Sequence, residues 1–236
     1  FLEKRIAKTI GRKFAVAVNS GTDALHFSLI INNIGPGDEV LVTNFSWISS
    51  ASVVSMVGAT PVFCDVDLET NHISVDSMKR MYSDKVKAII YPHLFGNISD
   101  MQYIQKFCEE KNIKLIEDAC QSFGANRDGQ HAGTYGDVST LSFNANKPVA
   151  GLAGGGAFLT DNKEEANLVR KLRRHGNNEV LGYNSKMLAI NAEFINFRMD
   201  KMHEWQDMRF RIAKRYTNNL KNLPVIVPHV DEIVNH

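Results

Sequence analysis

The chain has 236 residues, a formal net charge of +1, 44% hydrophobic residues and 22% charged residues. That is the make-up of a globular protein with one sizeable core, one domain or one and a part. The charge balance gives no reason to expect nucleic acid as a partner, and no apolar run approaches the roughly 18 residues that a membrane helix needs.

Short apolar runs alternate with amphipathic stretches along the chain. The runs Glu39–Thr43, Pro61–Asp65, Lys87–Tyr91, Lys114–Glu117, Val138–Phe143 and Ala157–Thr160 read as buried strands, and Ala15–Val18 is a further apolar stretch. Helical spacing fits Thr22–Asn32, Ser49–Val57, Ser74–Met81, Asp100–Asn112 and Glu164–Arg174. Ser99 with Gln102 and Asp161 with Glu164 have capping-box spacing before two of these helices. The alternation predicts βαβ units around a mostly parallel sheet. Residues Ile190–Asn222 are helix-favouring throughout, with an apolar stripe that reads as packing, and Leu223–Pro228 begins something extended. The domain expectation is therefore 1–185 for an α/β domain, 186–222 for a long helical connection and 223–236 for the start of a further C-terminal domain. The chain opens on Phe1 rather than Met, so a start further upstream is expected. Cys64, Cys108 and Cys120 form no CxxC pair, and they read as small buried residues in a reducing cytoplasm.

Open α/β sheets bind ligands beyond the carboxyl ends of their strands. Four motifs stand at such junctions. Asn19–Leu25 (NSGTDAL) leads into a helix whose first amides suit a phosphate, although Ser20 or Thr22 as a simple N-cap explains the same residues. It lacks the Gly-Lys-Ser/Thr of a Walker loop. Leu115–Gln121 (LIEDACQ) puts two acids and a glutamine at a strand end. A carboxylate buried there needs a cationic partner such as a protonated pyridine nitrogen, or it is an acidic cap on the next turn. Ser142–Pro148 (SFNANKP) sets Lys147 between an apolar strand and the Gly-rich run Gly151–Gly156. Most lysines are solvated charges, but desolvation at such a place makes an amine an imine-forming nucleophile. Trp47 in Asn44–Trp47 follows a strand end, where an aromatic either stacks on a flat ring or packs in the core. Together the four supply a phosphate cradle, a ring-nitrogen partner, a stacking plane and a Schiff-base lysine, the needs of pyridoxal 5'-phosphate (PLP).

The order of motifs resembles the DegT/DnrJ/EryC1/StrS family of PLP-dependent nucleotide-sugar aminotransferases, which have the type I PLP fold. The matching stretches are AVAVNSGTDALH (15–26), GPGDEVLV (35–42), GATPVFCDVD (58–67), PHLFGN (92–97), IEDACQSFGA (116–125), AGTYGDVSTLSFNANK (132–147), GGGAFLTD (154–161), LRRHG (172–176) and GYNSK (182–186). The resemblance implies a mostly parallel seven-stranded-type sheet flanked by helices, with the small C-terminal domain largely outside this sequence. It implies that Lys147 carries the Schiff base and shuttles the proton, that Asp118 pairs with the pyridinium nitrogen and that Gln121 contacts the ring hydroxyl. It further implies that Gly21, Thr22 and Asp23 hold the phosphate with help from Ser142, that Trp47 stacks on the ring, and that Asn184 reaches the neighbouring subunit's site in a homodimer. The implied reaction passes an amino group from glutamate to a nucleotide-linked keto-sugar in cytoplasmic amino-sugar or polysaccharide biosynthesis. Two other readings compete. Dehydratases on this fold replace the lysine with histidine, which Lys147 counts against; an idle regulatory relative would not be expected to keep Lys147, Asp118 and Gln121 together. The basic run Arg170–Gly176 reads as a solvated helix end capped by Gly176, with diphosphate contact as its alternative. His93 reads as a satisfied residue near the site, and no metal site is expected.

Overall fold

Each apolar run becomes a strand of one sheet, because β-branched residues on two covered faces leave no polar side to solvate. In the computed structural model, which describes residues 1–235, the strands in chain order are β1 (Phe14–Val18), β2 (Glu39–Thr43), β3 (Thr60–Cys64), β4 (Val86–Pro92), β5 (Lys114–Asp118), β6 (Asn126–Arg127), β7 (Gln130–His131), β8 (Val138–Ser142), β9 (Gly156–Thr160) and β10 (Val234–Asn235). Seven of them form the main sheet in the order β1-β9-β8-β5-β4-β2-β3, and β10-β6-β7 make a small second sheet. β9 runs antiparallel to both β8 and β1, while β8, β5, β4, β2 and β3 pair in parallel. The result is the mostly parallel seven-stranded sheet that the sequence predicts.

The helices are α1 (Leu2–Ile10), α2 (Gly21–Ile31), α3 (Ser49–Met56), α4 (Val75–Met81), α5 (Met101–Lys111), α6 (Lys163–Leu172), α7 (Ala189–Met199) and α8 (Met202–Leu220). They cover both faces of the sheet. Val40, Val42, Ile90 and Ile116 point to one face and share a core with residues of α2, α3 and α6. Leu41, Ile89 and Leu115 point to the other and meet residues of α1, α4, α5 and α7. Alternate residues of each strand thus serve opposite cores, as the period of two demands.

Local details differ from the sequence reading. α1 is an additional helix; its Leu2, Ile6, Ala7 and Ile10 bury one stripe. The caps of α5 and α6 are Asp100 and Asn162, one residue beyond the expected Ser99 and Asp161, and each side chain accepts a hydrogen bond from the first turn's amides. The helix-favouring stretch Ile190–Asn222 forms two helices, with the break between Met199 and Met202. α6 ends with Arg173, not Gly176, in the C-cap position; Gly176 lies in the following turn with φ +72°. Arg173 bonds Glu3 and the Ala17 carbonyl, Arg170 lies 3.7 Å from Glu3, and Lys171 pairs with Glu179. Three cations of the basic run are therefore tied to the fold's own acids, and none of the run lines the central cavity.

Candidate active site

A cavity of about 790 Å³ opens where the parallel strands end. Pro92 and His93 come from the end of β4, Asp118 from β5, Ser142 from β8, Ser20 and Gly21 from the start of α2, and Ser46 and Trp47 from the segment after β2. Lys147 and Gly155 close another side. Residues far apart in sequence converge here because every parallel strand delivers its carboxyl end to the same edge of the sheet.

Of the nine residues singled out in the sequence, seven line this cavity: Gly21, Thr22, Trp47, Asp118, Gln121, Ser142 and Lys147. Asp118 is buried. Its Oδ2 accepts from the Ser50 hydroxyl at 2.9 Å, and its Oδ1 accepts from the Cys120 amide at 3.2 Å. Gln121 Oε1 accepts from the Phe95 amide at 3.1 Å. The Ser20 side chain caps α2 by accepting from the Asp23 amide, and the Thr22 hydroxyl lies 2.8 Å from that of Ser49. Trp47 is 69% exposed at the rim, so it is not the core aromatic of the alternative reading. Lys147 is half-buried on a loop, its amide donating to the Asn144 carbonyl at 2.9 Å.

The other two lie apart. The Asp23 carboxylate accepts from the Ser185 hydroxyl, and Asp23 does not line the cavity. Asn184 is exposed and outside the cavity of its own chain, bridged through its backbone to Arg174.

The two adjacent acids of β5 have separate duties, because neighbouring strand residues face opposite ways. Asp118 faces the cavity. Glu117 is fully buried on the other side, where Oε1 accepts from His93 Nε2 and the Gly133 amide, both at 2.8 Å, and Oε2 from the Tyr135 and Gly136 amides, both at 2.7 Å. Burial alone would push this carboxyl's pKa up; the hydrogen bond and charge of His93, with the Gly136 and Gly133 amides, outweigh it and hold the group below the usual range. Sequence reasoning missed this pairing and the supports Ser50 and Asn191. Asn191 is buried in the first turn of α7 and hydrogen-bonds three backbone atoms of the Gly-rich loop. No spacing signal marks such contacts, since they join residues 16 to 68 positions apart.

The donor set fits PLP. A buried carboxylate on the cavity wall suits a protonated ring nitrogen, and a rim tryptophan suits a flat ring. At the opening of α2 the helix end carries partial positive charge. Gly21 stands there without a side chain: a Cβ would come within 2.9 Å of Ser142 Cβ and 3.0 Å of Cys120 Sγ. The cradle is thus kept open by close packing from behind. Among the described residues no group of His, Cys, Asp and Glu could hold a metal ion, and no helix is long and apolar enough to cross a membrane. Burial, with the Asp118 charge next, pushes the Cys120 thiol well above its ordinary value, so that cavity residue stays protonated at neutral pH.

Known proteins place this geometry in context. A protein from Acidithiobacillus ferrooxidans named UDP-N-acetyl-3-dehydro-alpha-D-glucosamine 3-aminotransferase is 35% identical over 240 residues, covering 100% of this chain and 65% of its own length. The crystal structure of a DegT DnrJ EryC1 StrS aminotransferase from Brucella abortus superposes with a TM-score of 0.92 at 33% identity, covering 99% of this chain and 66% of that one. NtdA from Bacillus subtilis, solved with bound cofactor PMP, superposes with a TM-score of 0.86 at 32% identity, covering 94% of this chain and 52% of its own. The chain thus spans less than two thirds of the length of each of these proteins. One family's sequence pattern matches residues 1–236. This chain belongs to the DegT/DnrJ/EryC1/StrS aminotransferase family.

Proposed function

We propose that the protein, as part of a PLP-dependent transaminase, moves an amino group from glutamate to a keto-sugar carried on a nucleoside diphosphate. The observation that carries this reading is the meeting of Lys147, Asp118 and the Gly21–Thr22 helix opening in one cavity. The relative from Acidithiobacillus ferrooxidans, whose name specifies a UDP-linked 3-keto amino sugar, supports the substrate class.

PLP is the cofactor of this family. When bound, it supplies a carbonyl that condenses with amines and a protonated ring that draws electrons from the carbon bearing the nitrogen. The chain's own residues do the rest. The amides of Gly21 and Thr22 and the Ser142 hydroxyl hold the phosphate, and Asp23 supports that turn from behind through Ser185. Asp118 offers its carboxyl group to the ring nitrogen, oriented by Ser50 and the Cys120 amide. Gln121 has its carbonyl oxygen taken by Phe95, which leaves its NH₂ for the ring hydroxyl. Trp47 covers one face of the ring and sheds water from it. Lys147 Nζ anchors the cofactor, then takes the proton from the substrate carbon and hands it on.

In this reading residues 1–185 are the PLP-binding domain, 186–222 the helical connection and 223–236 the start of a C-terminal domain. Asn184, which lies outside its own cavity, serves the cavity of a second copy in a homodimer. The setting is the cytoplasm, in amino-sugar and polysaccharide biosynthesis.

The test is chemical trapping. Purified full-length protein is loaded with PLP, reduced with borohydride and mapped by peptide mass. Pyridoxyl on Lys147, with none trapped in Lys147→Ala, is the expected result, and glutamate with a UDP-linked 3-keto sugar then gives turnover. Trapping on another lysine, or turnover by Lys147→Ala, overturns the reading.

A further inference from the structure

Lys147 sits on a loop whose shape is set from outside. The loop leaves the sheet after β8 and returns to it at Gly151, whose amide donates to the Phe143 carbonyl at 2.7 Å. Four residues later the Phe143 amide donates to the Gly155 carbonyl at 2.8 Å. Residues 144–150 are thus an excursion closed at its base, with Lys147 upon it. The next turn, 151–155, forms the cavity wall through Ala153, Gly154 and Gly155. It then meets the opening of α2, where Gly155 bridges to Ser20. One short turn therefore joins the lysine loop to the proposed phosphate cradle.

Beyond these backbone contacts, one side chain hydrogen-bonds three of the turn's backbone groups. Asn191 Oδ1 accepts from the Leu152 amide at 2.7 Å and the Ala153 amide at 3.3 Å, while Nδ2 donates to the Gly154 carbonyl at 2.8 Å. Asn191 is 3% exposed. The glycines leave room for the turn and for Asn191 alike: a Cβ at Gly151 would stand 2.3 Å from the Gly154 carbonyl oxygen and 2.6 Å from Asn191 Oδ1, and one at Gly155 would stand 2.8 Å from Met187 Cε and 3.2 Å from Asn191 Nδ2. An amide is the side chain that both accepts and donates in one plane, which this turn requires.

We propose that Asn191 is a positioning residue: by clamping residues 152–154 it fixes where Lys147 stands relative to the Ser20–Gly21 helix opening. This rests on the reading of Lys147 as the residue that anchors the cofactor. The clamp holds the two ends of one ligand's site in register, so its loss is felt as a misplacement of the lysine and not only as a softer loop.

Two variants test it in the full-length protein. Asn191→Leu keeps the branched shape with greater bulk and removes all three hydrogen bonds. Asn191→Asp keeps the acceptor; when protonated it also restores the donor to Gly154. In cofactor-free Asn191→Leu, the Leu152 and Ala153 amides exchange hydrogen at least about tenfold faster than in the parent, the effect of losing one to two hydrogen bonds. PLP affinity drops about tenfold, the pH midpoint of the bound cofactor's absorbance band moves, and kcat falls with KM little changed. For Asn191→Asp, the ratio of its PLP affinity to the parent's rises toward one as pH falls and worsens as pH rises, because only the protonated carboxyl reproduces the amide's pattern. Faster exchange in Asn191→Leu with unchanged affinity and unchanged absorbance midpoint makes Asn191 structural and overturns the proposal. If Asn191→Leu does not fold, a flat pH ratio for Asn191→Asp overturns it instead. Failure of the Lys147 reading is seen separately, as absence of trapping on Lys147 in the parent protein, while the exchange rates still report the clamp.

Discussion

Replacing Glu117 with Gln is the sharpest perturbation of the scaffold beneath the site. Both carboxylate oxygens are buried, and each accepts two hydrogen bonds, Oε1 from His93 and Gly133 and Oε2 from Tyr135 and Gly136. A glutamine has one oxygen. With its NH₂ toward Tyr135 and Gly136, two amides lose their acceptor; turned the other way, the Gly133 amide loses its acceptor, while His93 Nε2 accepts in the other ring tautomer. Each unsatisfied buried donor costs about 1–3 kcal/mol, so with one or two of them Glu117→Gln is expected to lose about 1–6 kcal/mol. Urea unfolding measures this as a lower midpoint at unchanged slope. The pH dependence follows with its sign. The folded-state pKa of Glu117 is held below the ordinary 4.5. Its contribution is therefore complete above that value and is lost as pH falls through the lower folded-state value. The variant lacks this acid-side loss and its stability is flatter below about pH 4.5. A loss under about 1 kcal/mol, with the parent's acid profile retained, refutes the reasoning.

Two further outcomes follow from the geometry. Trp47→Ala removes a ring that is 69% exposed, so stability moves by less than about 0.5 kcal/mol; PLP affinity falls nonetheless, measured by cofactor fluorescence, and equal affinity sinks the stacking role. Gly156→Ala places a Cβ 2.2 Å from the Ser20 carbonyl oxygen, forcing β9 away from the opening of α2. Thermal unfolding should show a loss of about 1–3 kcal/mol together with faster cofactor release; a neutral result means the strand and helix are not held as described.

Much of this protein was legible in its sequence. The period of two fixed the strands: Val40–Leu41–Val42 and Leu115–Ile116 must serve two apolar faces, and so they do. The strand-to-loop junctions also marked the site, since Asn19–Thr22, Asp118–Gln121 and Ser142–Lys147 all follow apolar runs and all reach one cavity. These features are local, and local chemistry leaves a local signature. Strand direction leaves none. That β9 runs against its neighbours depends on the short turn at Gly151–Gly155 and on the room that Gly156 leaves for Ser20. The break between α7 and α8 is likewise absent from the periodicity of 190–222 and is set where Met199 and Met202 both pack into the core beside Ile195. The separate fates of Glu117 and Asp118 could be read as alternation, but not which of them would meet His93, Gly133 and Gly136 and which Ser50. Those partners lie 16 to 68 positions away. A hydrogen bond between residues so far apart depends on the packing of whole elements, and only the tertiary structure decides it.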